Sequence, residues 1–198
     1  MVLTDKEIRE LAEKSKLITP FCEEHLQSES YDVTIGTSLT VMKKEIRCLD
    51  ISKQNSIDDI YQHIDIGEDG YLVSPKEYLL VSLNESIQLP DNLTAHLRPK
   101  TRYIRLGLMV SAQHCNSTYA GHLKVGVFNA TEYPIRIHSG YSIAQLVFEE
   151  LSGKPSLEKQ YKNKENAHYQ NENGNFRGAK FNDEFLDTLW EKILDENE

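Results

Sequence analysis

The 198-residue chain has no long apolar run, no closely spaced cysteine pair and no surplus of positive charge, and each absence removes a class of function. Cys22, Cys48 and Cys115 are odd in number and far apart, with no CxxC pair, so neither a disulfide framework nor a zinc or redox motif is indicated. Three reduced thiols in a cytosolic protein are expected instead. No uninterrupted apolar run approaches the roughly 20 residues that span a bilayer. The N-terminal segment MVLTDKEIRELAEKS is charged and lacks an apolar core, which predicts no secretory signal and a cytoplasmic location. Asp and Glu outnumber Lys and Arg by 31 to 22, a formal charge of −9. That balance argues against coating nucleic acid, which requires excess cations to neutralise phosphates. It leaves room for a nucleotide, which needs only a few local ones.

What remains is a pattern of many short strands. Thr4 and Glu7 have capping-box spacing, and Ile8 and Leu11 follow at helical period, which predicts a short amphipathic helix over 5–15. Strands are expected at Tyr31–Gly36, Leu39–Met42, Tyr71–Val73, Tyr78–Leu83, Leu93–Leu97, Leu123–Phe128, Ile135–Ile137 and Ile143–Phe148. Turns at Leu89-Pro-Asp-Asn92 and Ser139-Gly140 punctuate them. Leu123, Val125 and Val127 alternate onto one face. Residues 51–70 are polar and Asp-rich without a clear period, and are read as a long surface excursion. The fold class is therefore mainly β: a sandwich, jelly roll or distorted barrel, with short N-terminal and C-terminal helices. A β domain with the N-terminal helix is assigned to 1–152 and a polar C-terminal segment to 153–198. Within the latter, 153–180 is rich in Lys, Asn, Glu and Gly, and is either a disordered linker or a strap ordered by a ligand or partner. Asn182 then caps a helix whose apolar face is Phe185, Leu186, Leu189, Trp190, Ile193 and Leu194.

Four stretches carry more than composition: Tyr31-Asp-Val-Thr-Ile-Gly36; Leu97-Arg-Pro-Lys-Thr-Arg-Tyr-Ile-Arg-Leu-Gly-Leu108; Tyr119-Ala-Gly121 with the strand ending Phe128-Asn129; and Ile135-x-Ile-x-x-Gly140-Tyr-Ser-Ile-Ala-Gln145-Leu-Val-Phe148. In this order and spacing they resemble the dCTP deaminase/trimeric dUTPase superfamily, over roughly residues 28–180. The long lead-in from Tyr71 to Leu108 and the N-terminal helix are similar to the deaminase branch; the spacing from Asn116 to Asn129 is similar to a dUTPase. The resemblance implies a distorted β jelly roll, a homotrimer with active sites between subunits, and a deoxynucleoside triphosphate, dCTP or dUTP, bound with Mg²⁺. It implies no nucleic-acid or membrane partner. The residues support a nucleotide independently, because Lys100, Thr101, Arg102 and Arg105 place three cations and a hydroxyl within six residues, as phosphate binding requires. By resemblance these four and Gln145 hold phosphate, with Arg105 in the active site; Tyr119 packs on the deoxyribose; and Asp32 helps the metal–phosphate site, with no other metal ligand expected. Tyr161, His168 and Arg177 fall in the segment that closes over the nucleotide in relatives, where Phe176 would stack on the base.

Two positions depart from the family pattern. Family deaminases carry a proton-shuttling glutamate on the strand after the Tyr/Trp-x-Gly turn, and here that position is Gly126. Their mechanism uses no metal to activate water, so no metal replaces the lost acid. Trimeric dUTPases carry a water-orienting aspartate three residues before the Tyr, and here it is Asn116. A lost general base costs roughly 10²–10⁴-fold. His114 and His122 flank the same turn, and an imidazole there could serve as a replacement base. The resemblance thus implies a hydrolytic enzyme converting dCTP or dUTP toward dUTP or dUMP, with Asn116, Arg105 and His114 as catalytic candidates. The alternative is a nucleotide-binding pseudoenzyme or regulator of the same fold.

Overall fold

The computed structural model describes residues 1–43, 48–54, 57, 60–173 and 176–181. The expected terminal helix after Asn182 lies outside the described residues. Helix α1 (Asp5–Ser15) begins where the capping box places it, with the Glu7 carboxylate accepting from the Thr4 backbone N–H at 2.8 Å. It buries Ile8 and Ala12 against the barrel.

Eleven strands follow among the described residues: β1 (Ile18–Thr19), β2 (Tyr31–Met42), β3 (Tyr61–Asp65), β4 (Tyr71–Val73), β5 (Tyr78–Gln88), β6 (Leu93–Pro99), β7 (Leu108–Val110), β8 (Gln113–Cys115), β9 (Ala120–Asn129), β10 (Ile135–Ile137) and β11 (Ser142–Glu150). A second helix, α2 (Thr101–Leu106), sits between β6 and β7. The main sheet is antiparallel and runs β7-β9-β5-β2-β11-β6-β8, with β1 paired to β5 and β3 to β2. Strands β10 and β4 form a small second sheet. The two ends of the main path, β7 and β8, are separated in the chain only by Ser111 and Ala112. Three Cα steps reach at most about 11 Å, so the sheet must curl until its ends meet. That topological constraint makes the sheet a distorted, nearly closed barrel, as the strand pattern predicted.

Two strand expectations change. Tyr31–Gly36 and Leu39–Met42 are one continuous strand, because β2 passes from β11 onto β3 and β5 without a break in pairing beyond a bulge. The polar stretch 51–70 contains β3, an edge strand whose half-exposed residues pair with Ser38–Met42 of β2. None of its residues is buried, and its few apolar side chains do not register as a periodic pattern in the sequence.

The core alternates as strands should: Val33, Val81, Val125, Val127, Ile143, Leu146 and Phe148 are fully buried. Several quoted motif residues prove to be scaffold. The Glu85 carboxylate, buried in β5, accepts from the Thr34 N–H and hydroxyl at 2.8 Å each, which satisfies an otherwise costly buried charge. The Tyr31 hydroxyl accepts from the Cys22 N–H. Gly36 lies where β2 crosses β5; a Cβ there would stand 2.8 Å from the Ser82 carbonyl oxygen. Asn129, wholly buried, donates to the Val73 and Tyr133 carbonyls and accepts from the Thr131 N–H and hydroxyl, closing the turn after β9. We predict that Gly36→Ala lowers stability by about 1–3 kcal/mol through overpacking against backbone that cannot yield, read as a lower urea midpoint at unchanged m-value.

Candidate functional site

Residues 153–173 are neither a free linker nor independent of the barrel. They form a strap of two short 3₁₀ turns, Leu157–Lys159 and Tyr161–Asn163, that returns along the start of β9. Glu172 makes a parallel bridge with Gly121; the Asn171 N–H donates to the Ala120 carbonyl and the His122 N–H to the Glu172 carbonyl, both at 2.8 Å. Gln170 adds a side-chain bond to the Thr118 carbonyl, and the Lys162 N–H donates to the Thr118 hydroxyl. Gly121 permits this approach. Its φ is +144°, and a Cβ would lie 3.0 Å from both the Glu172 nitrogen and carbonyl oxygen. The glycine of the Tyr-x-Gly turn is thus the docking point of the strap.

Between strap and barrel lies a cavity of about 760 Å³. The 116–121 turn lends it Asn116 and Tyr119, β8 lends His114 and Cys115, and β5 and β9 lend Tyr78, Leu80, Leu123 and Lys124. The strap covers it with Tyr161, His168, Tyr169, Glu172, Phe176 and Arg177. Tyr119 is almost fully buried, with its ring centroid 5.7 Å from that of Tyr161, and burial pushes its phenol pKa well above the ordinary value. Burial likewise raises the Cys115 thiol to about 12, which leaves it an inert wall. Phe176 packs edge-on against Tyr61 (4.8 Å between centroids) and His63 (5.4 Å) at one side of the cavity. Arg177 donates from its guanidinium to the His168 carbonyl, holding the end of the strap. Among the described residues the lining carries Lys124, Arg177 and Lys180 against a single carboxyl, Glu172, so it is cationic although the chain is acidic.

Gly126 does not itself line this cavity; Tyr78 stands between. The glycine lies between Lys124 and Phe128 on one side of β9, opposite Leu80, and the space a Cβ would take is 2.6 Å from the Tyr78 hydroxyl. Tyr78 has filled the room that the glycine leaves. His114 reaches the cavity from β8, its ring 5.0 Å from that of His96. His122 does not line it: its Nδ1 lies 3.2 Å from the Leu83 carbonyl.

The phosphate candidates form a second group. Lys100 is ion-paired with Asp32, whose Oδ1 is buried without a hydrogen-bond partner. Gln145 stands in register between Asp32 on β2 and Arg98 on β6. Arg102 donates to the Ser142 carbonyl at 2.6 Å, while Thr101 and Arg105 are exposed on α2. None of these residues lines the strap cavity. Gln113, the cavity-lining residue of β8 nearest that group, pairs with Leu97, and Lys100 is three residues further along, about 10 Å at strand rise. A single chain therefore gathers Asn116, His114, Tyr119, Tyr161, His168 and Arg177 in one place, and Lys100, Thr101, Arg102, Arg105, Gln145 and Asp32 in another.

Asp32 does not make a metal site by itself, because its other oxygen is taken by an ammonium that repels a second cation. Among the described residues, no group of three or more His, Cys, Asp or Glu is placed to hold a metal ion. Nor is any described helix long and apolar enough to cross a membrane.

Comparison with known proteins agrees with this architecture. Residues 2–151 match the family model described as dCTP deaminase-like. This chain belongs to the dCTP deaminase-like family. It is 32% identical over 187 residues to a dUMP-forming dCTP deaminase of Nanoarchaeum equitans, covering 86% of this chain and 93% of that protein. It is 31% identical over 153 residues to one of Persephonella marina, covering 76% and 84%. The crystal structure of 2′-deoxycytidine 5′-triphosphate deaminase from Agrobacterium tumefaciens superimposes with a TM-score of 0.61 at 21% identity, over 76% of this chain and 49% of that one. The family match ends near β11; the strap was one of the two readings of 153–180, and Glu172 within it was found only in the structure.

Burial pushes the Glu172 carboxyl above the ordinary glutamate value, opposed by its bond from the Arg177 N–H (2.7 Å) and by the charges of Lys124 and Arg177. The native state then holds a proton that the unfolded chain has released, so stability falls as pH rises from the normal glutamate range through the raised value. Glu172→Gln removes that part of the slope, measurable as a flatter dependence of the urea midpoint on pH. Gly121→Ala unseats the strap. Proteolysis within 160–173 rises by roughly tenfold or more, since cleavage follows the open population, while the barrel stays folded by circular dichroism.

Proposed function

We propose that this protein binds dCTP, with dUTP as an alternative ligand, in the strap cavity and converts it toward dUTP and dUMP. The observation that carries this reading is the one cleft joining Asn116 and Tyr119 of the turn to the cations and aromatics of the strap. The names of the relatives point to the same substrate. Tyr119, backed by Tyr161, offers a rigid apolar wall for the deoxyribose, and Asn116 a partner for a sugar hydroxyl. Lys124 and Arg177 give negative charge a reason to enter.

The triphosphate completes the argument for a trimer. Lys100, Thr101, Arg102, Arg105 and Gln145 have the chemistry of a phosphate cradle but lie at a distance from their own cavity, so a neighbouring copy is the natural source. Ile104, Leu106 and Met109, each more than half exposed, border that group and give a second copy apolar surface to cover. Mg²⁺, brought by the triphosphate, would supply neutralisation of its charge, with Lys100, paired to Asp32, beside it.

A second reading has its own observation. Tyr78 occupies the space beside Gly126, and Asn116 has no useful basicity, so a ligand-binding regulator that does not turn over is consistent with the same cavity. Calorimetric titration and product chromatography with dCTP, dUTP and CTP, each with Mg²⁺, separate the readings. We predict binding of dCTP or dUTP at least tenfold tighter than CTP, formation of dUTP or dUMP, and loss of about 10-fold or more in affinity in Lys100→Ala. Binding without product supports the regulator; absence of binding by any deoxynucleotide overturns both.

A further inference from the structure

We propose that Glu172 is the group that carries protons between water and the pyrimidine in this protein, acting from the strap rather than from the barrel wall. The inference rests on the deaminating reading above. Glu172 is only 4% exposed, yet it lines the cavity. Its backbone is fixed on both sides, by the bridge to Gly121 and the bond from the His122 N–H, so its side chain starts from a defined point on the roof. Among the described residues it is the only carboxyl lining this cavity.

Placement favours the role. Lys124 of β9 lines the cavity, while Gly126, about 7 Å further along the same side of the strand, lies behind Tyr78. Lys124 donates toward the neighbouring Asn173 carbonyl at 3.4 Å, which ties the Glu172 segment to that end of the cavity. The groups that set the charge of Glu172 are Lys124 of β9 and Arg177 of the strap, which favour the carboxylate, against burial beside the rings of Tyr119 and Tyr161. The His122 side chain is turned away to Leu83. Such a carboxyl titrates above the usual glutamate range, as a proton carrier should.

The step balances without redox chemistry. Water adds to C4 of cytosine; its proton passes to the Glu172 carboxylate and on to N3. The same carboxylate then takes the proton of the new C4 hydroxyl and delivers it to N4. The C4–N4 bond breaks, ammonia leaves and the uracil carbonyl forms. Asn116, on the same cavity, is a positioning residue in this scheme.

The test uses the full chain with dCTP and Mg²⁺, following ammonia release, calorimetric affinity and the pH dependence of kcat/KM. Glu172→Gln keeps an acceptor for the Arg177 N–H. We expect kcat to fall roughly 10²–10⁴-fold with dCTP affinity changed by less than about threefold, and the acidic limb of the pH profile to vanish. Partial rescue of Glu172→Ala by added formate is expected as well. If Glu172→Gln keeps wild-type kcat and its acidic limb, the inference is overturned while the dCTP-converting reading stands. A loss confined to affinity, with kcat intact at saturating dCTP, overturns it too. Wild-type protein that binds dCTP but releases no ammonia overturns it and leaves only the binding reading. A wild type that binds no deoxynucleotide overturns the inference together with the reading beneath it.

Discussion

The site depends on one backbone contact: the strap laid against the first residues of β9 at Gly121. Without it, Tyr119 and Asn116 would border an open groove beside the seam of the barrel. With it, they become one wall of a cleft whose other wall is held by a handful of hydrogen bonds rather than by a core. A glycine is required because strap backbone fills the space of its side chain. The barrel supplies stiffness, through the curl that brings β7 to β8, and the strap supplies enclosure. This division of labour suits a ligand that must enter and leave.

Much of the fold was legible because its strands obey simple rules. The alternation of Leu123, Val125 and Val127 gave the inward face of β9, and the capping box gave the start of α1. What was not legible arises from long-range pairing. β3 is an edge strand with little apolar content, so nothing in Tyr61-Gln-His-Ile-Asp65 marks it until β2 is beside it. Helix α2 lies in the cationic stretch after Pro99, where charge drew the reading toward phosphate and away from conformation. Of the quoted motifs, Thr34, Gly36 and Asn129 turn out to serve the scaffold, and this could be learned only from Glu85, Ser82 and Val73, far away in sequence.

The candidate site divides in the same way. The turn at 116–121 and the segment holding Tyr161, His168 and Arg177 were named from sequence, and the chain does bring them together. The group around Lys100 is built on a different part of the barrel, anchored by Asp32. Glu172 was missed. It is an ordinary acid in a Lys- and Asn-rich segment, and its burial follows from a strand-like bridge that composition cannot announce. The one available hint was that a polar segment without apolar anchors nonetheless carries Tyr161, Tyr169 and Phe176, three aromatics that need something to pack against. Gly126 and Tyr78 show compensation of a related kind: where one position loses its side chain, a neighbour on the paired strand moves into the space.

The central claim is that the strap cavity is where a deoxynucleotide binds. Hydrogen exchange, followed by mass spectrometry with and without saturating dCTP and Mg²⁺, tests it most directly. The account predicts slowed exchange in 116–124 and 161–180 together, by at least about tenfold for amides at the strap–β9 seam. Protection confined to other parts of the barrel, with the strap exchanging as fast as in the free protein, would contradict it.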